Sequence, residues 1–249
     1  MKKLLLLLLV PFIALANPID QQCPQFVAHG APISTLSNTQ YLCRKNYAVN
    51  YRNDTKTAEF VVEHVTKESV SGNSNRQDNF RADTDIPLKY RSLLSDYVKA
   101  GYDRGHLSPA GDNTTNDVIM SESFLLSNMV PQNSGNNRGI WNQLEQNVRI
   151  WVEEGKDIYV VSGTLYMPNY KTIGKGVGVP TYLWKVVYDN NTNSTISFVI
   201  PNEDVNAKNL PIYVTPLTEV ERLTNLKIMP KLDDVIKRVP VNTRLWSSL

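Results

Sequence analysis

The stretch Tyr102-Asp103-Arg104-Gly105-His106-Leu107-Ser108-Pro109-Ala110-Gly111-Asp112 sets a histidine two residues after an arginine, among glycines and a proline. An imidazole that titrates near neutrality can accept a proton, and the planar guanidinium beside it can hold the oxygens of an anion. Downstream, Asn137-Arg138-Gly139-Ile140-Trp141-Asn142-Gln143-Leu144-Glu145 runs on to Arg149, adding an amide oxygen, a carboxylate and a second guanidinium. Together these are the groups that metal-assisted cleavage of a phosphodiester requires.

Outward from this stretch the hydrophobic pattern mixes two periods. Residues 58–66, 158–162, 182–188 and 195–200 are rich in β-branched and aromatic side chains, as strands are. The last two are joined by the polar run 189–193, which reads as a hairpin turn. From Gly139 to Val152, Ile140, Leu144, Val148 and Trp151 recur at helical spacing and predict one amphipathic helix. Residues 215–226 and 232–238 predict two shorter helices separated by Pro230. Irregular alternation of this kind predicts an α+β fold with a mixed, mainly antiparallel sheet flanked by helices. Residues 71–85 and 112–117 read as surface loops. The glycine-rich run 173–180 lacks the Lys-Ser/Thr pair of a phosphate cradle and reads as a turn.

At the amino end, Lys2 and Lys3 precede an apolar run and Ala14-Leu15-Ala16, the pattern of a signal peptide over residues 1–16 with Asn17 as the new terminus. The run is too short to span a bilayer, so no membrane anchor is expected and residues 17–249 are read as one periplasmic or secreted domain. In an oxidising compartment Cys23 and Cys43 are expected to bond, two free thiols being the alternative. The chain carries 26 basic and 24 acidic residues, and loss of Lys2 and Lys3 makes them equal. Bulk charge therefore does not point to a polyanion, and any nucleic-acid surface must be local.

Of the three histidines, His106 is the candidate base, whereas His29 and His64 read as structural and no zinc spacing occurs. Arg104 would contact phosphate, or else pair with Asp103 or another carboxylate. On a regular helix Asn137, Glu145 and Arg149 share a side, but Asn137 and Glu145 stand roughly 12 Å apart along the axis. Asn137 is therefore read as a direct metal ligand and Glu145 as acting through water, which suits Mg²⁺, with Mn²⁺ as a substitute. The bland alternative makes Asn137 a helix cap and Glu145 an i,i+4 partner of Arg149.

With these residues in place the chain resembles the DNA/RNA non-specific endonucleases of the ββα-metal class. The resemblance is carried by Asp103-Arg104-Gly105-His106 with Ser108-Pro109-Ala110, by Ser127-Asn128-Met129-Val130-Pro131-Gln132, and by Asn137-Arg138-Gly139-x-Trp141-x-x-Leu144-Glu145. It extends through Phe80-Arg81-Ala82-Asp83 and the later strands, over roughly residues 23–232. One departure is Asn225, where the family commonly has glycine. The resemblance implies that His106 is the general base, Asn137 the Mg²⁺ ligand and Glu145 the group that orients the ion's waters. It also implies that Arg104 and Arg149 contact phosphate and that Asn128 supports the site, with Arg76 a weaker candidate. The implied reaction is hydrolysis of DNA and RNA to 5′-phosphorylated fragments by a monomer or homodimer that a protein inhibitor could control. Two other readings stand beside it: a non-catalytic nucleic-acid-binding protein on the same scaffold, and a phosphodiesterase for small nucleotide esters.

Overall fold

A computed structural model describes residues 17–238 and 242–249. The signal-peptide reading concerns residues 1–16, which lie outside the described residues. The centre is a seven-stranded sheet, antiparallel throughout, in which β1 (Thr39–Cys43), β2 (Ala48–Arg52) and β3 (Thr57–Val65) lead across to β6 (Ile158–Leu165), β9 (Tyr182–Asp189), β10 (Ser194–Pro201) and β11 (Val214–Thr215). Two small ribbons complete the strands: β4 (Asp103–His106) with β5 (Met129–Gln132), and β7 (Thr172–Ile173) with β8 (Val177–Gly178). The latter is the glycine-rich run, folded as a hairpin.

Alternation along the strands sorts side chains onto two cores, as a period of two requires. Val61, Val65, Leu183 and Val187 face one core, with Ile140, Trp141, Leu144, Val148 and Trp151 from the helical segment. Phe60, Val62, Trp184 and Val186 face the other, covered by Leu217, Val220 and the amino-terminal Ile19 and Phe26. The sheet is thus covered on both faces, and its central strands β3, β6 and β9 are accordingly rich in hydrophobic residues. Glu63 and Lys185 break that pattern, since each is 1% exposed at a position between residues of the first core. Lys185 Nζ donates to Ser162 Oγ at 2.7 Å, and Ser108 Oγ donates to Glu63.

Cys23 and Cys43 form a disulfide, which ties the amino-terminal segment to β1. Other expectations need correction. The helix predicted from Gly139 begins earlier and is broken: a single turn at Ser134–Asn136 and a π-helical turn at Asn137–Trp141 precede the regular helix Asn142–Glu153. Gly139 leaves helical geometry at φ −102°, ψ −105°, so regular-helix spacing does not describe the path from Asn137 to Glu145. The predicted helix over 215–226 is shorter, Leu217–Thr224, because Pro216 precedes it and left-handed Asn225 (φ 57°) ends it; asparagine fills that cap position about as glycine would. The last helix is Asp234–Arg238. Residues 112–117 are not wholly a surface loop, since Asp112 and Asn113 are buried.

Candidate active site

Strands β4 and β5 and the helix Asn142–Glu153 form a ββα unit around the residues singled out above. Asp103-Arg104-Gly105-His106 has poor intrinsic strand character, yet it is held extended by pairing with β5, where His106 lies opposite Met129 and Gly105 opposite Val130. A Cβ at Gly105 would collide with the Gln132 side chain. Asn128, fully buried, anchors the end of the ribbon: its Oδ1 accepts from Ser108 N at 2.9 Å, and its Nδ2 donates to the Ser108 and Ser123 carbonyls at 2.8 and 2.9 Å. Both ends of that amide are consumed by backbone, so Asn128 shapes the turn after His106 rather than reaching into the cavity.

The His106 ring is 5.2 Å from Phe124, edge to face, and 5.7 Å from Phe80, while its carbonyl accepts from Trp141 Nε1 at 3.3 Å. His106 Nε2 is buried and has no hydrogen-bond partner among the described residues. A positive imidazolium would be poorly solvated there, and burial, followed by Arg76 and Arg104, pushes its pKa down to about 3.

A cavity of about 600 Å³ opens at this ring, lined among others by Arg76, Arg104, His106, Asn137, Glu145 and Arg149. Six residues scattered over more than seventy positions of sequence meet there, including the weaker candidate Arg76. Arg104 does not pair with Asp103; its guanidinium carbon lies 4.1 Å from the Phe80 ring centroid. Asp103 instead receives Arg138 through Nε and Nη2, both at 2.8 Å, with Asn137 Nδ2 at 3.0 Å. Partial burial acts to raise the Asp103 pKa, but hydrogen bonds from Arg138, Asn137 and Ser134 outweigh it and hold the carboxyl below its ordinary value.

Asn137 is not the amino-terminal cap of this helical segment; that cap is Asn133, whose side chain accepts from Gly135 N and Asn136 N. Arg149 does not pair with Glu145; its Nη1 donates to the buried Asp112 at 2.9 Å. Glu145 has no salt bridge among the described residues, and burial, opposed by Lys185 and Arg149, raises its carboxyl to about 7. Sequence reading missed Asp103, Asp112 and Arg138 as organising groups. Their partners lie 34 to 37 residues away, beyond any local spacing rule. His29 bonds the Tyr188 hydroxyl and His64 stacks on Tyr159, so both sit in structural settings away from this cavity.

No group of three or more His, Cys, Asp or Glu that could enclose a metal occurs among the described residues. The fit of a divalent ion therefore turns on Asn137. With its nitrogen held by Asp103, the amide has its oxygen left as the donor for an ion, and Asn137 lines the same cavity as Glu145. A single hard oxygen donor completed by water suits Mg²⁺.

A family model described as DNA/RNA non-specific endonuclease matches residues 25–235. The chain belongs to that family. Among relatives of the chain, the mitochondrial nuclease EXOG of Homo sapiens is 34% identical over 217 residues, covering 80% of this chain and 59% of the human protein. A nuclease of Nostoc sp. is 33% identical over 240 residues, covering 88% and 87%. The chain spans about three-fifths of the length of the EXOG relatives it matches. A crystal structure of the EndoG/EndoGI complex contains a chain that superposes with a TM-score of 0.77 at 30% identity, over 85% of this chain and 93% of that one. The α+β architecture around the ββα unit is thus shared with EndoG. No helix among the described residues is long and apolar enough to cross a membrane.

Proposed function

We propose that this endonuclease is a metal-dependent, sequence-non-specific hydrolase of DNA and RNA that yields 5′-phosphorylated fragments. The observation that carries the reading is the convergence of His106, Arg104, Asn137 and Glu145 on one cavity rich in guanidinium groups. The neutral imidazole of His106 takes a proton from the attacking water, which meets phosphorus in line with the departing 3′ oxygen. Arg104, with Arg149 and Arg76, holds the phosphate and stabilises the charge that grows on its oxygens. Asn137 would hold Mg²⁺ and Glu145 would orient the ion's water shell; when bound, the ion supplies further positive charge at the phosphate. Mn²⁺ is expected to substitute. Phosphate contacts carry no base information, so low sequence preference follows.

Export to a periplasm or the medium is proposed from residues 1–16 and accords with the Cys23–Cys43 disulfide. Several relatives are named as mitochondrial, so the family is not confined to exported proteins. Control by a protein inhibitor is proposed by analogy with EndoG, whose structure is a complex with EndoGI.

The test is cleavage of supercoiled plasmid and of RNA by wild type with Mg²⁺ or with EDTA, beside His106→Ala. Metal-dependent degradation, lost in the variant, is the expected result. Folded wild type that cleaves neither polymer with Mg²⁺ or Mn²⁺ would overturn the reading in favour of a binding role or a small-ester substrate.

A further inference from the structure

A second cavity, of about 540 Å³, adjoins the first and shares Arg76, Arg104, Asn137 and Arg138 with it. We propose that this second cavity is a nucleoside subsite, seating the base and sugar of a nucleotide that flanks the scissile phosphate. The proposal rests on the nuclease reading above and adds to it where the substrate's non-reacting part goes.

Continuity is the first argument. A phosphate held at the shared guanidinium groups must send one ester substituent into each cavity or into solvent. The walls supply the second. Beyond the shared residues the second cavity is lined by Leu94, Tyr97, Val98 and Tyr102, with Phe80 beside Arg104. Val98 is 67% and Leu94 40% exposed. These exposed apolar side chains beside Arg76 and Arg104 offer a ligand both an apolar and a positively charged contact. They suit a ligand with an aromatic face, an apolar sugar edge and a negative charge at one end. A nucleotide has all three.

Geometry at the junction agrees. Arg104 lies over the Phe80 ring at 4.1 Å, fixing a flat, charged platform at the boundary between the two cavities. Stacking on such surfaces is indifferent to base identity and is worth about tenfold in affinity per base, or more. It therefore adds affinity without adding sequence preference. The cavity has the size of a small-molecule site.

The experiment compares three chromogenic diesters: thymidine 5′-(4-nitrophenyl phosphate), thymidine 3′-(4-nitrophenyl phosphate) and methyl 4-nitrophenyl phosphate. Wild type should cleave at least one thymidine ester with kcat/KM about tenfold above the methyl ester. Tyr102→Ala should abolish that preference while leaving the methyl ester rate unchanged. Because Tyr102 also packs against Tyr97 and its neighbours, the surface pair Leu94→Ser with Val98→Ser provides a second variant whose fold is not at risk. Equal cleavage of all three diesters by an active wild type, or variants that keep the thymidine preference, would overturn the subsite and leave the nuclease reading intact. A wild type that cleaves neither plasmid nor any diester would overturn both.

Discussion

Asp103 holds the Asn137 amide by its nitrogen, at 3.0 Å, on a residue that lines the catalytic cavity, which leaves the amide oxygen as the donor available to an ion. The same carboxylate is held in a two-pronged pair by Arg138, which leaves it little freedom to turn away. Asp103→Ala frees the amide to rotate. Groups that orient a metal ligand typically contribute about 10- to 100-fold in metal affinity or activity. The half-saturating Mg²⁺ concentration for plasmid cleavage should therefore rise by about that factor, with much of the rate recovered at high Mg²⁺. An unchanged Mg²⁺ dependence would show that Asp103 does not orient Asn137.

His106→Ala should lower kcat by about 10²- to 10⁴-fold, the usual contribution of a general base, while DNA binding persists. Burial first, then Arg76 and Arg104, lower this imidazole from 6.5 to about 3. Between those values the unfolded chain binds the proton that the folded ring refuses, so stability falls as pH drops from 6.5 toward 3. Imidazole NMR shifts should report a neutral ring at about pH 5, and Arg76→Ala should move its titration upward. A ring half-protonated near its ordinary value would contradict the buried setting.

Glu63 has the opposite pH signature. Burial, then the neighbouring Asp112, raise its carboxyl from 4.5 to about 8. The folded state keeps a proton there that the unfolded chain releases, so stability is greatest at the acidic end of this window and declines as pH rises through it. The loss should be on the order of a few kcal/mol. Urea unfolding at several pH values should show this decline in wild type and a flatter profile in Glu63→Gln. Parallel profiles for the two proteins would locate the pH dependence elsewhere.

The Cys23–Cys43 bridge closes a separation of 20 residues. Constraint of the unfolded chain by a loop of that size is worth about 3 kcal/mol. For a domain of this length the Tm of Cys23→Ser with Cys43→Ser should fall by roughly 6 to 12 °C. Activity at low temperature should persist, because neither cysteine lines the catalytic cavity. Loss of activity in protein that remains folded would mean that the bridge reaches the site through β1 and β2.

Which residues meet in the cavity was largely legible in the chain itself. His106, Arg104, Asn137, Glu145 and Arg149 could be named because each lies in a short run whose residue types suit phosphodiester cleavage, and all five line one cavity. The central strands were legible because burial on both faces demands runs of β-branched residues. Strands β1 and β2 were not, since Gln40, Asn50 and Arg52 interrupt their pattern, and neither was β4, whose extended form depends on pairing with β5.

The tertiary structure alone decided which partner each charged group takes. Arg149 joins Asp112 rather than the nearby Glu145, Asp103 joins Arg138 rather than Arg104, and Asn137 sits in a π turn instead of a regular helix. Local spacing determines which side chains share a face of one element. Partner choice depends on which faces the folded sheet and helix bring together, where burying a charge without a partner costs far more than a neighbouring position along the chain can offset.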